Sequence, residues 1–379
     1  MSGGIVLAAG GTGGHVFPAQ ALAEELLARG RRVDVISDGR GARFEGAAGS
    51  VQWHRISAAT PTGANPLAKI AAMLSIARGV LQAIGLLRRL EPAAVIGFGG
   101  YPSLPTMLAA WLLKLPRAIH EQNAVLGRVN RLLAGRVDAI ATSFERLKRL
   151  PPAADALVTF TGNPVRADIA ALAGRAYAAP SDGSDIVLLV FGGSQGASIL
   201  SDVVPVALAA LPEALRQRLR VVQQCRAEDL ERVRETYRAA AIRAETETFY
   251  TDMPARLSDS QIIISRAGAG TVGELSVAGR PAILVPYAYA ADDHQTANAE
   301  MLAEVGGAWV IAQAAFKAPE LTALLADLFT HPDRLATAAA AAAGVARTDA
   351  AARLADLAER LAGLRQVEDA AAPQTGGSA

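Results

Sequence analysis

Residues 5–18 read IVLAAGGTGGHVFP, and their pattern is the strongest indication of the fold. Five apolar residues precede four glycines, at positions 10, 11, 13 and 14, and an apolar-periodic segment follows over residues 21–27. This order predicts a strand, a tight turn and a helix. Glycines let a backbone approach a ligand closely, and the helix presents its N-terminal amides to the same place. We therefore expect an anion, such as a phosphate, at this turn.

His15 lies at the edge of the glycine turn. Imidazole can take up or release a proton near neutral pH, so this residue is a candidate acid–base group. The turn does not complete the dinucleotide fingerprint G-x-G-x-x-G, because Val16 stands where the third glycine is needed. Asp38, at the end of the second predicted strand, would suit a ribose and keeps a dehydrogenase open as an alternative. A motif for P-loop nucleotide hydrolysis is absent, and a Ser-His-Asp hydrolase is not expected.

The second half of the chain repeats the opening pattern. DIVLLVF (185–191) is followed by the glycine turn GGSQGA (192–197) and by a predicted helix from about residue 198. Strand and helix patterns alternate throughout, which is typical of parallel sheets covered by helices. The predicted strands are 4–9, 32–37, 94–97, 117–120, 138–142, 157–160, 185–191, 219–223, 246–249, 261–265, 281–285 and 308–311.

This pattern predicts an α/β protein with two similarly built domains and a cleft between them. We place the N-terminal domain at residues 1–165 and the C-terminal domain at 166–346. An amphipathic helix over 347–365 follows, and it could pack back on the N-terminal domain. Residues 366–379, QVEDAAAPQTGGSA, have the composition of a disordered tail.

Composition and charge narrow the class of protein. Half of the residues are apolar, one cysteine (Cys225) rules out an internal disulfide, and no basic leader or cleavage site indicates a signal peptide. Residues 1–165 hold 18 Lys/Arg and 10 Asp/Glu, net +8, whereas the remainder holds 19 and 26, net −7. This asymmetry indicates an anionic ligand or surface for the N-terminal half, with chance placement of solvated charges as the alternative. No pattern typical of nucleic-acid binding occurs.

Residues 66–90 predict a long amphipathic helix whose charged residues are all basic. Such a helix can lie on an anionic membrane, although its apolar stripe is also compatible with core packing. The apolar run 95–113 contains three glycines and two prolines, so we do not expect it to span a membrane.

Three further segments carry polar groups at predicted strand ends, where α/β sheets bind ligands. GFGGYPSLP (97–105) is a second candidate anion cradle, and HEQN (120–123) precedes a helical segment. Residues 265–299 hold the densest set of glycines and polar groups. A carboxylate such as Glu274 can accept two hydrogen bonds from a ribose diol. Each segment could instead be a structural turn or a satisfied loop network.

Metal chemistry is not expected. The five histidines, at positions 15, 54, 120, 294 and 331, form no ligand-spaced cluster, and no D-x-D motif occurs.

Six motifs together resemble the MurG family of N-acetylglucosaminyltransferases. They are GGTGGHVFPA (10–19), GGYPS (99–103), HEQN (120–123), GNPVR (162–166), GGSQGA (192–197) and the segment 265–299. The resemblance spans residues 5 to about 300 in family order. It implies the glycosyltransferase type B architecture of two Rossmann-like domains with the active site in the cleft, and it implies no cofactor.

The resemblance also implies the roles of individual residues. His15 would be the general base of an inverting transfer. The implied donor-binding residues are Thr12, Gly13, Gly14, Asn123, Arg166, Ser194, Glu274 and Gln295. The implied acceptor-binding residues are Gly10, Gly11, Gly99, Gly100, Tyr101 and Asn130.

The implied substrates are UDP-GlcNAc and undecaprenyl-pyrophosphoryl-MurNAc-pentapeptide. The implied location is the cytoplasmic face of the bacterial inner membrane, where an anionic membrane surface and other cell-wall synthesis proteins are the expected partners. The open alternatives are a lipid glycosyltransferase for another sugar, a UDP-GlcNAc 2-epimerase and a non-catalytic membrane scaffold that binds nucleotide sugars.

Overall fold

Thirteen strands form two parallel sheets in the computed structural model, which describes residues 3–39, 51–61, 66–181, 183–193 and 196–364. The strands are β1 (Ile5–Ala8), β2 (Val33–Ser37), β3 (Gln52–Arg55), β4 (Ala94–Gly97), β5 (Arg117–Glu121), β6 (Ala139–Thr142), β7 (Val158–Phe160), β8 (Ile186–Phe191), β9 (Leu219–Gln224), β10 (Arg243–Glu247), β11 (Ile262–Ser265), β12 (Ala282–Leu284) and β13 (Ala308–Val310).

Helices cover both faces of each sheet. They are α1 (Gly13–Ala28), α2 (Pro66–Leu90), α3 (Gly100–Leu112), α4 (Arg128–Leu133), α5 (Ala167–Ala170), α6 (Ser198–Ala209), α7 (Glu213–Arg216), α8 (Leu230–Ala239), α9 (Met253–Asp259), α10 (Ala269–Ala278), α11 (His294–Ala303), α12 (Ala318–Thr330), α13 (Pro332–Gly344) and α14 (Ala350–Leu361).

The two sheets share one topology. Their strand orders are β3-β2-β1-β4-β5-β6-β7 and β10-β9-β8-β11-β12-β13, with parallel pairing throughout. In each, the first strand lies inside the sheet and the chain winds outward in both directions from it. The resulting switch points lie between β1 and β4 and between β8 and β11, and such points open a crevice at the carboxyl ends of the strands. The predicted fold class is confirmed.

Successive side chains of β1 are buried on opposite faces of the first sheet. Ile5 and Leu7 belong to one buried apolar cluster, whereas Val6 and Ala8 belong to another on the opposite face. Successive side chains of a strand point to opposite faces, so an unbroken apolar run is what a sheet covered on both sides requires. The residues of IVLA are at most 1% exposed.

Helix α14 lies against the N-terminal domain, although it follows the second sheet in the chain. It packs on α1, and Leu354 shares a core cluster with Ile5 and Leu7 of β1. At its far end, the carboxylate of Glu359 receives hydrogen bonds from Arg29 (2.8 Å) and Arg31 (2.6 Å). The chain therefore crosses between the two sheets twice, once after β7 and once before α14.

Most predicted strands agree with the structure to within a residue or two, and two edge strands do not. Strand β3 was not predicted, and β10 begins three residues before the predicted 246–249. Both are edge strands whose sequences, QWHR and RAETE, lack an apolar alternation. The proposed domain limits stay a prediction, and the expected disordered tail lies outside the described residues.

Candidate active site

The glycine loops that follow β1 and β4 meet at the first switch point. A Cβ atom on Gly10 would lie 2.9 Å from the Cβ of Pro102 and 2.7 Å from the hydroxyl of Ser37, so only glycine fits there. A Cβ on Gly100 would lie 3.3 Å from Nε2 of His15. The fold thus brings together the residues predicted for the acceptor side, Gly10, Gly11, Gly99 and Gly100, beside the predicted base.

Helix α1 begins at the predicted anion turn. Thr12 is its N-cap residue and is exposed, and the Thr12 carbonyl accepts the backbone N–H groups of His15 and Val16. Gly13 is buried and Gly14 is exposed. The first turn of α1 contains no acidic side chain, so an anion placed there would meet amide groups without like-charge repulsion.

His15 is hydrogen-bonded through Nδ1 to the side-chain oxygen of Gln122, at 2.9 Å. The Gln122 amide nitrogen lies 3.0 Å from Nδ1 of His120 and donates to the His120 carbonyl at 3.1 Å. His120 is fully buried, and its Nε2 lies 3.2 Å from the carbonyl oxygen of Gly162. Burial lowers the pKa of His120 to about 4, with the hydrogen bond to Gly162 opposing the shift and His15 adding to it.

The remaining polar residues of this side hold the loop after β5 in place. The buried carboxylate of Glu121 accepts hydrogen bonds from Asn123, Gly127 and Asn130. Asn130 also donates to the His120 carbonyl at 3.2 Å. Tyr101 packs against the buried core of the first domain. The structure therefore gives Asn130 and Tyr101 a supporting position, and their roles in acceptor binding stay predictions.

The C-terminal domain repeats the glycine turn after β8. A Cβ on Gly192 would lie 2.4 Å from the backbone nitrogen of Ala197, which makes the turn too tight for any other residue. Helix α6 begins immediately afterwards, at Ser198. The predicted diphosphate residue Ser194 falls outside the described residues.

Glu274 and Arg166 are close enough for their charges to interact. Glu274 lies on α10, which contacts α1 of the other domain. The Arg166 guanidinium lies over the Phe17 ring of α1, 5.5 Å from its centre, and 3.7 Å from the Asp168 carboxylate.

The carboxyl group of Glu274 has an altered acidity. It is partly reachable by solvent yet surrounded by protein, and burial raises its pKa to about 7. The positive charge of Arg166 opposes this shift and Asp168 adds to it. Its carboxylate has no hydrogen-bond partner within the described ranges. A carboxylate that protein groups leave unsatisfied can accept hydrogen bonds from a ligand hydroxyl.

Gln295 is oriented by the backbone around it. Its side-chain oxygen accepts hydrogen bonds from the amides of Ala267 (3.2 Å) and Tyr287 (2.9 Å). This leaves the NH₂ group as the part of Gln295 that can donate to a sugar. The neighbouring His294 donates through Nδ1 to the Ala291 carbonyl, 2.7 Å away.

Asn298 joins the two domains. Its side-chain oxygen accepts the Ala124 amide at 2.8 Å, and its NH₂ group donates to Asn123 Oδ1 and to the Ala267 carbonyl, both at 3.1 Å. Asn298 belongs to the segment 265–299, whose polar groups the sequence marks as candidates for ligand binding. The structure instead uses its amide within the protein, and it holds the predicted donor residue Asn123 against the C-terminal domain.

Two of these structural residues were not identified as such from sequence: Gln122 and Asn298. Gln122 and His120 stand two residues apart in HEQN, a spacing that places both side chains on one face of an extended segment. The hydrogen bond between Gln122 and His15 could not be predicted from sequence, because the two residues are 107 positions apart. Within the part of the chain that the structure describes, no group of three or more His, Cys, Asp or Glu side chains could hold a metal ion.

Two family models match the chain. The glycosyltransferase family 28 N-terminal domain matches residues 5–142 and the family 28 C-terminal domain matches residues 187–360. Among curated proteins, the chain is 54% identical over 353 residues to the UDP-N-acetylglucosamine--N-acetylmuramyl-(pentapeptide) pyrophosphoryl-undecaprenol N-acetylglucosamine transferase of Paramagnetospirillum magneticum, covering 93% of this chain and 95% of that protein. It is 53% identical over 360 residues to the transferase of the same name from Rhodospirillum centenum, covering 95% of each.

Solved structures with the same fold include two that we compare with this chain. The MurG structure from Acinetobacter baumannii superposes with a TM-score of 0.76 at 30% identity, covering 94% of this chain and 99% of that one. A putative UDP-N-acetylglucosamine 2-epimerase from Listeria monocytogenes reaches a TM-score of 0.65 at 15% identity, covering 96% and 97%. The second likeness concerns the fold alone.

Proposed function

The chain belongs to the MurG family of glycosyltransferase family 28, and we infer that it transfers GlcNAc from UDP-GlcNAc to a lipid-linked acceptor. The acceptor hydroxyl is the 4-hydroxyl of MurNAc in undecaprenyl-pyrophosphoryl-MurNAc-pentapeptide. The product is the lipid-linked disaccharide from which peptidoglycan is built. The observation that carries this inference is the pair of matching switch-point crevices, in which α1 with His15 meets α10 with Glu274.

The reaction is a single displacement at the anomeric carbon. The acceptor oxygen attacks from the face opposite UDP, the bond from the anomeric carbon to the diphosphate oxygen breaks, and the α-linked donor becomes a β-1,4-linked product. His15 would accept the proton of the attacking hydroxyl through Nε2, because Nδ1 is already hydrogen-bonded to Gln122.

The departing diphosphate gains negative charge as the glycosidic bond breaks. The N-terminal amides of α6, after the turn 192–197, would stabilise that charge in the way a helix N-terminus stabilises any anion. Ser194 and Arg166 would add a hydroxyl and a guanidinium, Glu274 would accept the ribose hydroxyls, and Gln295 would donate to GlcNAc.

The test is formation of the lipid-linked disaccharide from UDP-GlcNAc and the lipid-linked MurNAc-pentapeptide, with His15→Ala as the variant. Loss of a general base lowers turnover by roughly 10²- to 10⁴-fold. His331→Ala is a matched control because this histidine is exposed and lies on the junction of α12 and α13. Absence of product with the unmodified protein would refute the proposed activity, and full turnover by a folded His15→Ala protein would remove His15 as the base.

We further propose that the enzyme is peripheral at the cytoplasmic face of the inner membrane and that α2 lies on the anionic lipid surface. By length and composition α2 could cross a membrane, and among the described residues it is the one helix that passes this test. One of its faces nevertheless packs on the N-terminal domain, through buried residues such as Ala72, Ile76, Ala83 and Leu87 and through contacts with α3. A helix held in this way fits a surface position better than a spanning one.

The opposite face of α2 combines apolar and basic side chains. Leu67, Ile70, Leu74 and Leu81 are 57–73% exposed and recur at helical spacing on that face. Arg78, Arg88 and Arg89 are exposed on the same side. Apolar insertion together with attraction to anionic headgroups is the usual basis of interfacial binding. Contacts with other cell-wall synthesis proteins belong to the same proposal.

Co-sedimentation with phosphatidylglycerol vesicles tests the membrane proposal. Leu67→Ser combined with Leu74→Ser is expected to weaken binding by at least tenfold, because each exposed leucine loses its transfer into the lipid, about 1.5–3 kcal/mol when fully buried. Val206→Ser is the control, since Val206 is exposed on α6 of the other domain. Equal binding by the double variant and the parent protein would refute a role for α2. Equal binding to neutral phosphatidylcholine would refute the electrostatic part.

A further inference from the structure

A continuous chain of hydrogen bonds connects His15 to the backbone at the first crossing between the domains. It runs from Nδ1 of His15 to Oε1 of Gln122 (2.9 Å), from Nε2 of Gln122 to Nδ1 of His120 (3.0 Å), and from Nε2 of His120 to the Gly162 carbonyl (3.2 Å). Gln122 and His120 are 2% and 0% exposed, so water does not compete for these groups.

The Gly162 carbonyl determines which group donates and which accepts in every hydrogen bond of this series. A carbonyl oxygen only accepts, so Nε2 of His120 must carry the proton that meets Gly162. Neutral His120 then has a lone pair on Nδ1, which must receive a donor, and the NH₂ group of Gln122 supplies it. The same NH₂ group also donates to the His120 carbonyl at 3.1 Å, so a second acceptor demands the same orientation of the amide.

The opposite orientation of Gln122 would create two repulsive contacts. Its oxygen would face the His120 carbonyl, and His120 would have to move its proton to Nδ1, leaving a lone pair against Gly162. A buried polar atom without a partner is unfavourable, because it has lost its hydrogen bonds to water and gained none in the protein. The Gln122 oxygen therefore faces His15 and accepts a hydrogen bond from it.

We propose that Gln122 is a positioning residue that holds His15 in the tautomer protonated on Nδ1, and that His120 and the Gly162 carbonyl hold Gln122 in turn. The lone pair of His15 is then on Nε2, the nitrogen that lies beside Gly100 at the acceptor loops. The tautomer assignment follows from hydrogen bonding alone. Its consequence for turnover rests on the proposed function, in which His15 is the base.

The acidity of His120 supports this arrangement. Because burial lowers the pKa of His120 to about 4, this ring stays neutral at neutral pH. A protonated His120 would present an N–H group to the NH₂ group of Gln122 and break the chain. A neutral glutamine also links the two rings without placing a second charge beside the base.

Nitrogen-15 NMR of histidine-labelled protein measures the tautomer of each ring directly. In the parent protein we expect the Nδ1–H form for His15 and the Nε2–H form for His120. In Gln122→Ala, His15 should lose its preference for Nδ1–H. In Gln122→Glu, a carboxylate still accepts from His15 but cannot donate to His120, so His15 should keep its tautomer while the His120 signals change.

An Nε2–H form of His15 in the parent protein, or an unchanged His15 tautomer in a folded Gln122→Ala protein, would overturn the proposal. Gln52→Glu is the control for the added charge, because Gln52 is exposed on the outer strand β3. This control should change neither histidine spectrum.

Steady-state kinetics then test whether the tautomer matters for the reaction. Gln122→Ala should lower kcat by roughly tenfold or more while the KM for UDP-GlcNAc changes by less than about twofold, since the base and not the donor is misplaced. Gln122→Glu should move the acidic limb of the kcat/KM profile upward by about one pH unit, because a carboxylate favours the charged imidazole. If the spectra change as expected but kcat does not, the positioning role stands and the assignment of His15 as base fails.

Discussion

At the residue scale, the raised pKa of Glu274 makes donor binding depend on pH. The free protein holds this carboxyl partly protonated near pH 7 because burial raises its pKa to about that value. A ribose diol donates hydrogen bonds to the charged form, so binding would favour loss of the proton. We therefore expect the affinity for UDP-GlcNAc to rise from about pH 6 to about pH 8, with proton release on binding near pH 7.

Calorimetry in buffers of different ionisation enthalpy measures that proton release. Glu274→Gln should abolish the release and weaken binding at high pH, because a neutral amide cannot replace the carboxylate as a double acceptor. The free energy of unfolding shows the opposite trend with pH. A carboxyl whose pKa is higher in the folded state makes the protein less stable as pH rises from about 4.3 to about 7. A donor affinity that does not vary with pH would contradict the ribose assignment.

The identities of the site residues could be predicted better than their partners. The sequence identifies His15 and Glu274 because each follows a glycine turn at a strand end. It cannot show that the oxygen of Gln295 is taken up by two backbone amides, or that Asn298 joins the domains. These contacts join groups that are 8 to 175 positions apart in sequence, and no local pattern encodes them.

At the element scale, α14 is held to the N-terminal domain by a nearly buried carboxylate. Burial would raise the pKa of Glu359, but hydrogen bonds and charge from Arg31 and Arg29 keep it below its ordinary value. Such a group stabilises the fold above its unfolded pKa and loses this effect as pH falls through the lower folded value. Glu359→Gln is expected to lower the free energy of unfolding by about 3 kcal/mol, because two arginines lose their shared partner.

Thermal or urea unfolding measures this loss, with Asp349→Asn as the control. Asp349 also pairs with an arginine, Arg353, but both side chains are about half exposed, and exposed pairs contribute at most about 1 kcal/mol. Equal destabilisation by the two substitutions would contradict the importance assigned to burial at Glu359.

The elements that sequence predicts well are those with a strong hydrophobic signal. Inner strands such as IVLA and IVLLVF are buried on both faces. Every residue in them is therefore apolar, and such an unbroken apolar run predicts a strand. The outer strands β3 and β10 pair on one side only and carry largely exposed polar side chains, so backbone hydrogen bonding to a neighbour defines them. Their pairing is a tertiary effect that a single segment does not reveal.

At the scale of the whole molecule, a charged contact spans the cleft beside the donor site. Asp292, just before α11, forms ion pairs with Arg128 (3.7 Å), Arg131 (3.4 Å) and Arg149 of the N-terminal domain. Burial would raise the pKa of Asp292, but these arginines hold it below its ordinary value. Asp292 has a positive φ of 56°, a strained conformation that its contacts compensate.

Asp292→Asn removes the charge and keeps a side chain that tolerates positive φ. We expect weaker closure of the cleft, seen as a larger radius of gyration in X-ray scattering and a KM for UDP-GlcNAc raised several-fold. Asp293→Asn is the matched control, because the neighbouring Asp293 has φ 55° and bonds within its own domain to Thr296. If both variants behave alike, charge across the cleft does not control closure.

The return of α14 to the first sheet also sets an order for folding during synthesis. The second sheet and its helices lie between residues 167 and 344 and can assemble as soon as that segment has left the ribosome. The core beside β1 cannot be completed then, because Leu354, Ala355 and Ala358 belong to it and are translated later. We therefore expect the half of the protein that is made first to complete its core last.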